Sequence, residues 1–232
     1  MKYAILADIH ANLPALQAVI RDSEAVGCER AVCLGDLVGY GQRPRECVEL
    51  IRKWGIPCVK GNHDEYCCSD HSIPAFSPKV GEHIIWTREQ LTDDDRNWLR
   101  ALPYILKIDN FTIVHGSLEN PERWGYVFEK LSAAASFSYQ KTDVCFFGHT
   151  HVPVAFVRDT MVRGGTYSKF RVEHGQKYFI NPGSVGQPRD GIRKWAYATY
   201  DLEKKEVELR RLDFDLGEDH SPPLAGIPQR PR

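Results

Sequence analysis

At five places in this sequence a short apolar run stops and metal-type donors follow at once. Ile5-Leu6-Ala7 leads into Asp8 and His10, and Cys33-Leu34 leads through Gly35 into Asp36. Cys58-Val59-Lys60 leads through Gly61 into Asn62, His63 and Asp64. Ile113-Val114 leads into His115, and Phe146-Phe147 leads through Gly148 into His149 and His151. Imidazole, carboxylate and amide oxygen, without thiolate, suit borderline divalent ions such as Mn²⁺, Fe²⁺ or Zn²⁺. Singly, each residue has an ordinary explanation: a strand-end histidine is commonly a hydrogen-bonded structural group, and Gly-Asp and Gly-Asn are common turns. Repetition of the same arrangement along the chain points to one shared site. The donors are too many for one ion. Split between two ions roughly 3.5–4 Å apart, they leave one carboxylate to bridge. Two dications exceed two carboxylates in charge, so such a centre binds phosphate oxygens, activates a bridging water and supports in-line attack at phosphorus.

The donors need elements to carry them. Residues 2–7, 31–34 and 58–60 read as buried strands, separated by helices over 13–26 and 44–54, with Asn12 as N-cap and Pro14 in the first turn. This βαβαβ opening predicts a parallel sheet. Residues 78–102 carry a helical pattern, 104–108 and 112–115 form a hairpin around Asp109-Asn110, and a helix covers 128–139. Strands are expected over 144–147, 154–158, 169–172, 177–180, 195–201 and 207–212. An α/β first half and a β-rich second half suggest two sheets sharing a core, with helices outside. Ligands bind outside the carboxyl ends of strands in α/β sheets. If the donor-bearing strands share one sheet, their ends bring the donors to one rim. The two-residue spacings Asp8/His10 and His149/His151 send both side chains to one side of an extended segment.

Bulk properties narrow the function. The chain has 232 residues, 42% hydrophobic and 26% charged, with a formal net charge of −1. That length buries roughly 70% of the unfolded surface without disulfide staples. The near-neutral balance lacks the basic excess of a nucleic-acid binder, so no nucleic-acid partner is expected. No apolar stretch approaches the ~20 residues of a membrane span, and no signal peptide is recognisable at Met1, so a cytoplasmic protein is expected. Seven cysteines include no Cys-x-x-Cys pair. Cys67-Cys68 is either a reactive vicinal pair or two ordinary thiols. One domain is expected over 1–216, followed by a Pro-rich disordered tail over 217–232.

DIHAN, GDLVGYG, GNHDE, VHGS and GHTH, in this order, resemble the motifs of the calcineurin-like metallophosphoesterases, from Met1 to about Leu212. ADIHANLPALQAVI and CLGDLVGYG are most similar to the bacterial branch of diadenosine-tetraphosphatase-like proteins and related protein phosphatases. The resemblance implies an α/β fold, a four-layer α/β/β/α sandwich of two mixed sheets flanked by helices. It implies one metal on Asp8, His10, Asp36 and His151, with Asp36 bridging to a second on Asn62, His115 and His149. His63 would then face the phosphate, stabilising transition-state charge or protonating the leaving oxygen. Asp64 would orient His63 or cap a helix. Unlike the large Ser/Thr phosphatases, which carry Asp-Arg-Gly after their Gly-Asp, this loop reads Leu37-Val38-Gly39-Tyr40-Gly41, with neither acid nor arginine.

The implied substrate is a small phosphorylated molecule, a nucleotide such as a dinucleoside polyphosphate being favoured by the branch. The alternatives are a phosphodiesterase or phosphomonoesterase of other specificity, including a protein phosphatase, or a non-catalytic scaffold of the same fold. Candidate substrate contacts are Asn12, Tyr40, Arg189 and Trp124, with Lys60 and Arg43 as further loop candidates. The stretch 181–189 either holds phosphate through its amides and Arg189 or buttresses the His149–His151 loop. The aromatic residues between Pro121 and Tyr139 either stack a nucleobase or pack a lid.

Overall fold

The computed structural model describes residues 1–70 and 78–214. The tail expected over 217–232 lies outside them. Strand β1 (Lys2–Leu6) alternates strictly: Ala4 and Leu6 face one apolar cluster while Tyr3 and Ile5 face another. Helix α1 (Leu13–Ala25) follows, capped by the Asn12 side chain, which accepts from the Ala15 amide. Strand β2 (Arg30–Cys33) lies parallel to β1, and helix α2 (Pro44–Trp54) ends on Gly55 in a left-handed conformation. The strand expected over 58–60 is reduced to a single bridge between Cys33 and Cys58, because the chain turns at Gly61 directly into helix α3 (Asn62–Cys68).

The helical pattern over 78–102 is two helices, α4 (Pro78–Gln90) and α5 (Asp93–Ala101). Thr92 separates them by accepting from the Asp95 amide while the Asp95 carboxylate accepts from the Thr92 amide, a reciprocal cap. Strands β3 (Ile105–Ile108) and β4 (Phe111–Val114) form the expected hairpin. A 3₁₀ turn (Pro121–Arg123), helix α6 (Lys130–Tyr139) and strand β5 (Val144–Phe146) come next. The rest is strand: β6 (Val154–Arg158), β7 (Val162–Gly165), β8 (Lys169–Arg171), β9 (Lys177–Asn181), β10 (Lys194–Asp201) and β11 (Glu206–Asp213).

Two mixed sheets result, ordered β2-β1-β10-β11-β8 and β3-β4-β5-β9-β6-β7. Among the described strands of the first sheet only β1–β2 is parallel, because β10 enters beside β1 in the antiparallel sense. β4, β5 and β9 run parallel in the second. Between the sheets lie Tyr3, Ile5, Val32, Phe111, Ile113, Phe146, Ile180 and Tyr200. The outer face of the first sheet packs on α1, α2, α4 and α5 through residues such as Leu16, Val48, Ile84 and Leu99. The outer face of the second packs Phe147, Phe156 and Phe179 on Phe137 of α6. The order is helix, sheet, sheet, helix. Among the described residues no helix is long and apolar enough to cross a membrane.

Candidate metal centre

The donors converge at the carboxyl ends of β1 and β2 in one sheet and of β4 and β5 in the other, not along one sheet as the strand-end argument supposed. Strand alternation does not aim them either. Asp8, His10, Asp36, His149 and His151 all have positive φ, between 47° and 69°. A left-handed residue costs roughly 1–2 kcal/mol outside glycine, so each loop is held by its neighbours. Asp8, His10 and Ala11 donate their amides to the carbonyls of Gly35, Asp36 and Leu37, lashing the first loop to the second. Gly61 permits a close approach of two loops: a Cβ there would sit 2.1 Å from Asp36 Oδ1.

Two groups of ligand atoms form. Asp8, His10, Asp36 and His151 make one and Asp36, His115 and His149 the other; within each, all atoms lie within 4.8 Å of one another. Asp36 belongs to both. Asn62 Oδ1 lies 3.3 Å from His115 Nε2, placing this amide oxygen beside the second group. Every residue of both groups is buried.

These donors fit a cation. Nδ1 of His10, His115 and His151 donates to the carbonyls of Val38 (3.1 Å), Leu34 (2.7 Å) and Gln187 (2.6 Å). A carbonyl can only accept, so each Nδ1 carries the hydrogen and, in the neutral ring, each Nε2 turns a lone pair inward. His10 Nε2 and His151 Nε2 face each other at 3.1 Å. Two lone pairs at that distance repel unless a positive charge lies between them. Burial, reinforced by the Arg189 charge, lowers His151 to about 3, and burial with the His115 charge lowers His149 to about 2. Burial likewise pushes His10 well down, Asp36 opposing. Burial works against a charge on His115, yet Asp36 and Asp8 raise it to about 10. Burial, with the Asp36 charge, raises Asp8 to about 7, while three histidines hold Asp36 well below the usual carboxylate range against its own burial. A divalent cation would take the place of the protons on His115 and Asp8, and the resulting neutral imidazoles and ionised carboxylates are the donor set of borderline divalent metals.

The sequence profile described as the calcineurin-like phosphoesterase superfamily domain matches residues 1–205. The chain belongs to that superfamily. It is 36% identical over 219 residues to the uncharacterized protein MJ0912 of Methanocaldococcus jannaschii, covering 92% of this chain and 88% of the relative. It is 25% identical over 201 residues to phosphodiesterase YfcE of Escherichia coli, covering 82% and 83%. The crystal structure of a metallophosphoesterase from Sphaerobacter thermophilus superposes with a TM-score of 0.79 at 38% identity, covering 92% of this chain and 88% of that one. As a calcineurin-like phosphoesterase, the chain is a metal-dependent phosphoester hydrolase.

Within this phosphoesterase fold His63 lies against the first donor group, its ring 4.9 Å edge-on from His10 and 4.5 Å from Tyr40. Its amide donates to Asp36 Oδ1, and its buried Nδ1 has no hydrogen-bond partner. Burial lowers its pKa. The hydrogen bonds of the Asp64 carboxylate go to backbone amides and not to this ring. The carboxylate accepts from the amides of Asp36 (2.8 Å), Leu37 (2.8 Å), Val38 (3.3 Å) and Gly61 (2.9 Å), pinning the Asp36 loop to the start of α3. It caps α3 from the N3 position, with Gly61 and not Asp64 as the N-cap. Burial and the Asp36 charge raise it to about 7 against those amides.

The four substrate candidates separate. Tyr40 stands edge-on to His10, with the Arg189 guanidinium 5.8 Å over its ring. His10, Asn12, Tyr40, Gln42, Arg43 and Gln187 line a cavity of about 290 Å³ at this flank. Asn12 is committed at both ends, capping α1 and donating to the Gly186 carbonyl at 3.1 Å. The Trp124 indole packs edge-on to Tyr66 and Tyr104 and donates to the Lys60 carbonyl. The aromatic ring at the centre is Tyr126, stacked on His149 at 4.0 Å and 20°. Lys60 is tied to Glu65 and the Arg100 carbonyl.

The stretch 181–187 buttresses the loops. Asn181 donates to the Gly148 carbonyl and Thr150, Ser184 donates to the Asp8 carbonyl, and the Gln187 carbonyl accepts from His151. Its amides at Val185 and Gly186 donate to the carbonyls of Ala7 and Asp8. Turn-rich composition after a strand was the only sequence signal for this supporting row. Cys67 and Cys68 are buried thiols, with burial raising Cys67 well above its usual range and Cys68 to about 11, so neither is an activated thiolate.

Proposed function

We propose that this phosphoesterase holds two divalent ions of the Mn, Fe or Zn type and hydrolyses a phosphate ester or anhydride of a small molecule, a nucleotide such as a dinucleoside polyphosphate. The observation that carries the reading is Asp36, whose carboxylate belongs to both groups of buried donors. Asp8, His10, Asp36 and His151 would hold one ion, and Asp36, Asn62, His115 and His149 the other. Bound there, the ions would neutralise phosphate charge and supply an activated water for in-line attack. The chain's own part is to fix the imidazoles through their Nδ1 hydrogen bonds and to keep the amide of Asn62 as a neutral donor, leaving the centre net positive. His63 stands at the edge of the first group, where it would stabilise charge on the phosphoryl oxygens or hand a proton to the leaving oxygen. The Arg189 guanidinium, beside Tyr40, supplies a forked donor at the rim for a second phosphate.

His63→Ala should keep the metal content and lower turnover of a chromogenic phosphodiester by roughly two orders of magnitude or more. Full activity in that variant removes His63 from the mechanism. A substrate panel under defined metals, with products separated, tests the class. For diadenosine tetraphosphate, two ADP or ATP plus AMP would give the cleavage position. Phosphopeptide turnover with no nucleotide turnover would favour the protein-phosphatase alternative, and no hydrolysis with any of the three metals would favour a scaffold.

A further inference from the structure

Tyr126 and Phe128 form an aromatic step leading out from the centre. Their rings stack at 5.4 Å and 12°, and Tyr126 in turn stacks on His149. The intervening Val127 is buried in the cluster under α6, at 1% exposure. Val127 therefore anchors the segment, and its two neighbours project to the opposite side. Tyr126 is 54% exposed and Phe128 60% exposed. Two large rings held parallel and left open to solvent mark a binding surface more than a packing one. The Tyr126–His149 stack starts the step at the second group of metal-type donors.

We propose that Tyr126 and Phe128 are the specificity-determining platform for the substrate, stacking a nucleobase while the phosphate lies at the metal centre. This rests on the phosphoesterase reading of that centre and adds to it the class of organic group that the enzyme selects. Aromatic faces receive any base, because every base has a π-face, so the platform selects nucleotides over other phosphate esters. Arg189, on the Tyr40 side, is left to meet phosphate.

The test is calorimetric binding of adenosine 5′-monophosphate and ribose 5-phosphate to the metal-loaded protein, which share a phosphate and differ in the base. The wild type should bind the nucleotide about 5- to 100-fold more tightly, the factor that base–aromatic stacking supplies. Tyr126→Ala and Phe128→Ala should each reduce that preference several-fold, while Tyr126→Phe, which keeps the ring, should retain it. Leu131→Ala, which removes a neighbouring apolar side chain that is 79% exposed, should also retain it. No preference in the wild type, or a preference untouched in both alanine variants, overturns the platform. Binding does not depend on turnover. A nucleotide preference without nucleotide hydrolysis would leave the platform standing and overturn the hydrolytic reading instead.

Discussion

Gly39→Ala should damage catalysis through His63 alone. Gly39 has φ +84°, and a Cβ built on it would lie 2.4 Å from His63 Nδ1 and 3.0 Å from Cγ. Ordinary contact begins near 3.5 Å, so the ring must retreat by about 1 Å. A misplacement of that size costs up to about 10²-fold in rate, and the left-handed alanine costs a further 1–2 kcal/mol or so of stability. The assay is kcat on a chromogenic phosphodiester with metal content measured in parallel, for Gly39→Ala, His63→Ala and the double variant. Gly39→Ala should lower kcat by about 10- to 100-fold with both metals retained. Added to His63→Ala it should change kcat by no more than about two- to threefold, because the ring it displaces is gone. Multiplicative losses in the double variant would refute the reasoning and make Gly39 a general support of the loop.

Asp64→Asn replaces an acceptor of four amides by a group that also donates, so stability should fall by about 2–4 kcal/mol and metal retention should weaken. Denaturant melts and metal titration check it, and an unchanged variant would show that the clamp is dispensable. Asp22 accepts from the Tyr197 hydroxyl and the Arg210 guanidinium; burial opposes its charge, but these bonds lower its pKa overall. Its contribution is present above the unfolded value near 3.9 and lost as pH falls through the lower folded value. Asp22→Asn should therefore cost about 1 kcal/mol at neutral pH, a difference that vanishes in acid melts; a constant difference down to the lowest pH would contradict it. Chelation should lower the melting temperature and added Mn²⁺ restore it, because the ions relieve facing lone pairs and buried carboxylates. A melting temperature indifferent to chelator would count against a resident metal.

The donors were legible because they share one local grammar, an apolar run followed by a polar turn. Most elements were legible too: α2 runs over Pro44–Trp54 and β6 over Val154–Arg158, the spans expected from the sequence. What failed was whatever depends on partners distant in sequence. Two-residue spacing suggested alternation along a strand, yet Asp8, His10, His149 and His151 sit in left-handed turns fixed by bonds to other loops. Nothing local says that β1 and β4 belong to different sheets. Helix α3, at seven residues, is too short for a periodicity to register, and its first turn is occupied by polar residues. β7 contains two glycines and carries no alternation. Among the aromatics between Pro121 and Tyr139, the sequence singles out Trp124 as a substrate contact, whereas the ring on His149 is Tyr126. The left-handed φ of 47° at Trp124 places the indole on the Lys60 carbonyl, which a loop sequence does not disclose.

The central claim is a pair of ions sharing Asp36. Anomalous diffraction at the manganese edge from metal-loaded crystals tests it most directly. Two peaks per chain are expected, roughly 3.5–4 Å apart, with the Asp36 carboxylate between them, and loss of both in Asp36→Asn. A single peak, or two peaks with Asp36 bound to neither or only one, would contradict it.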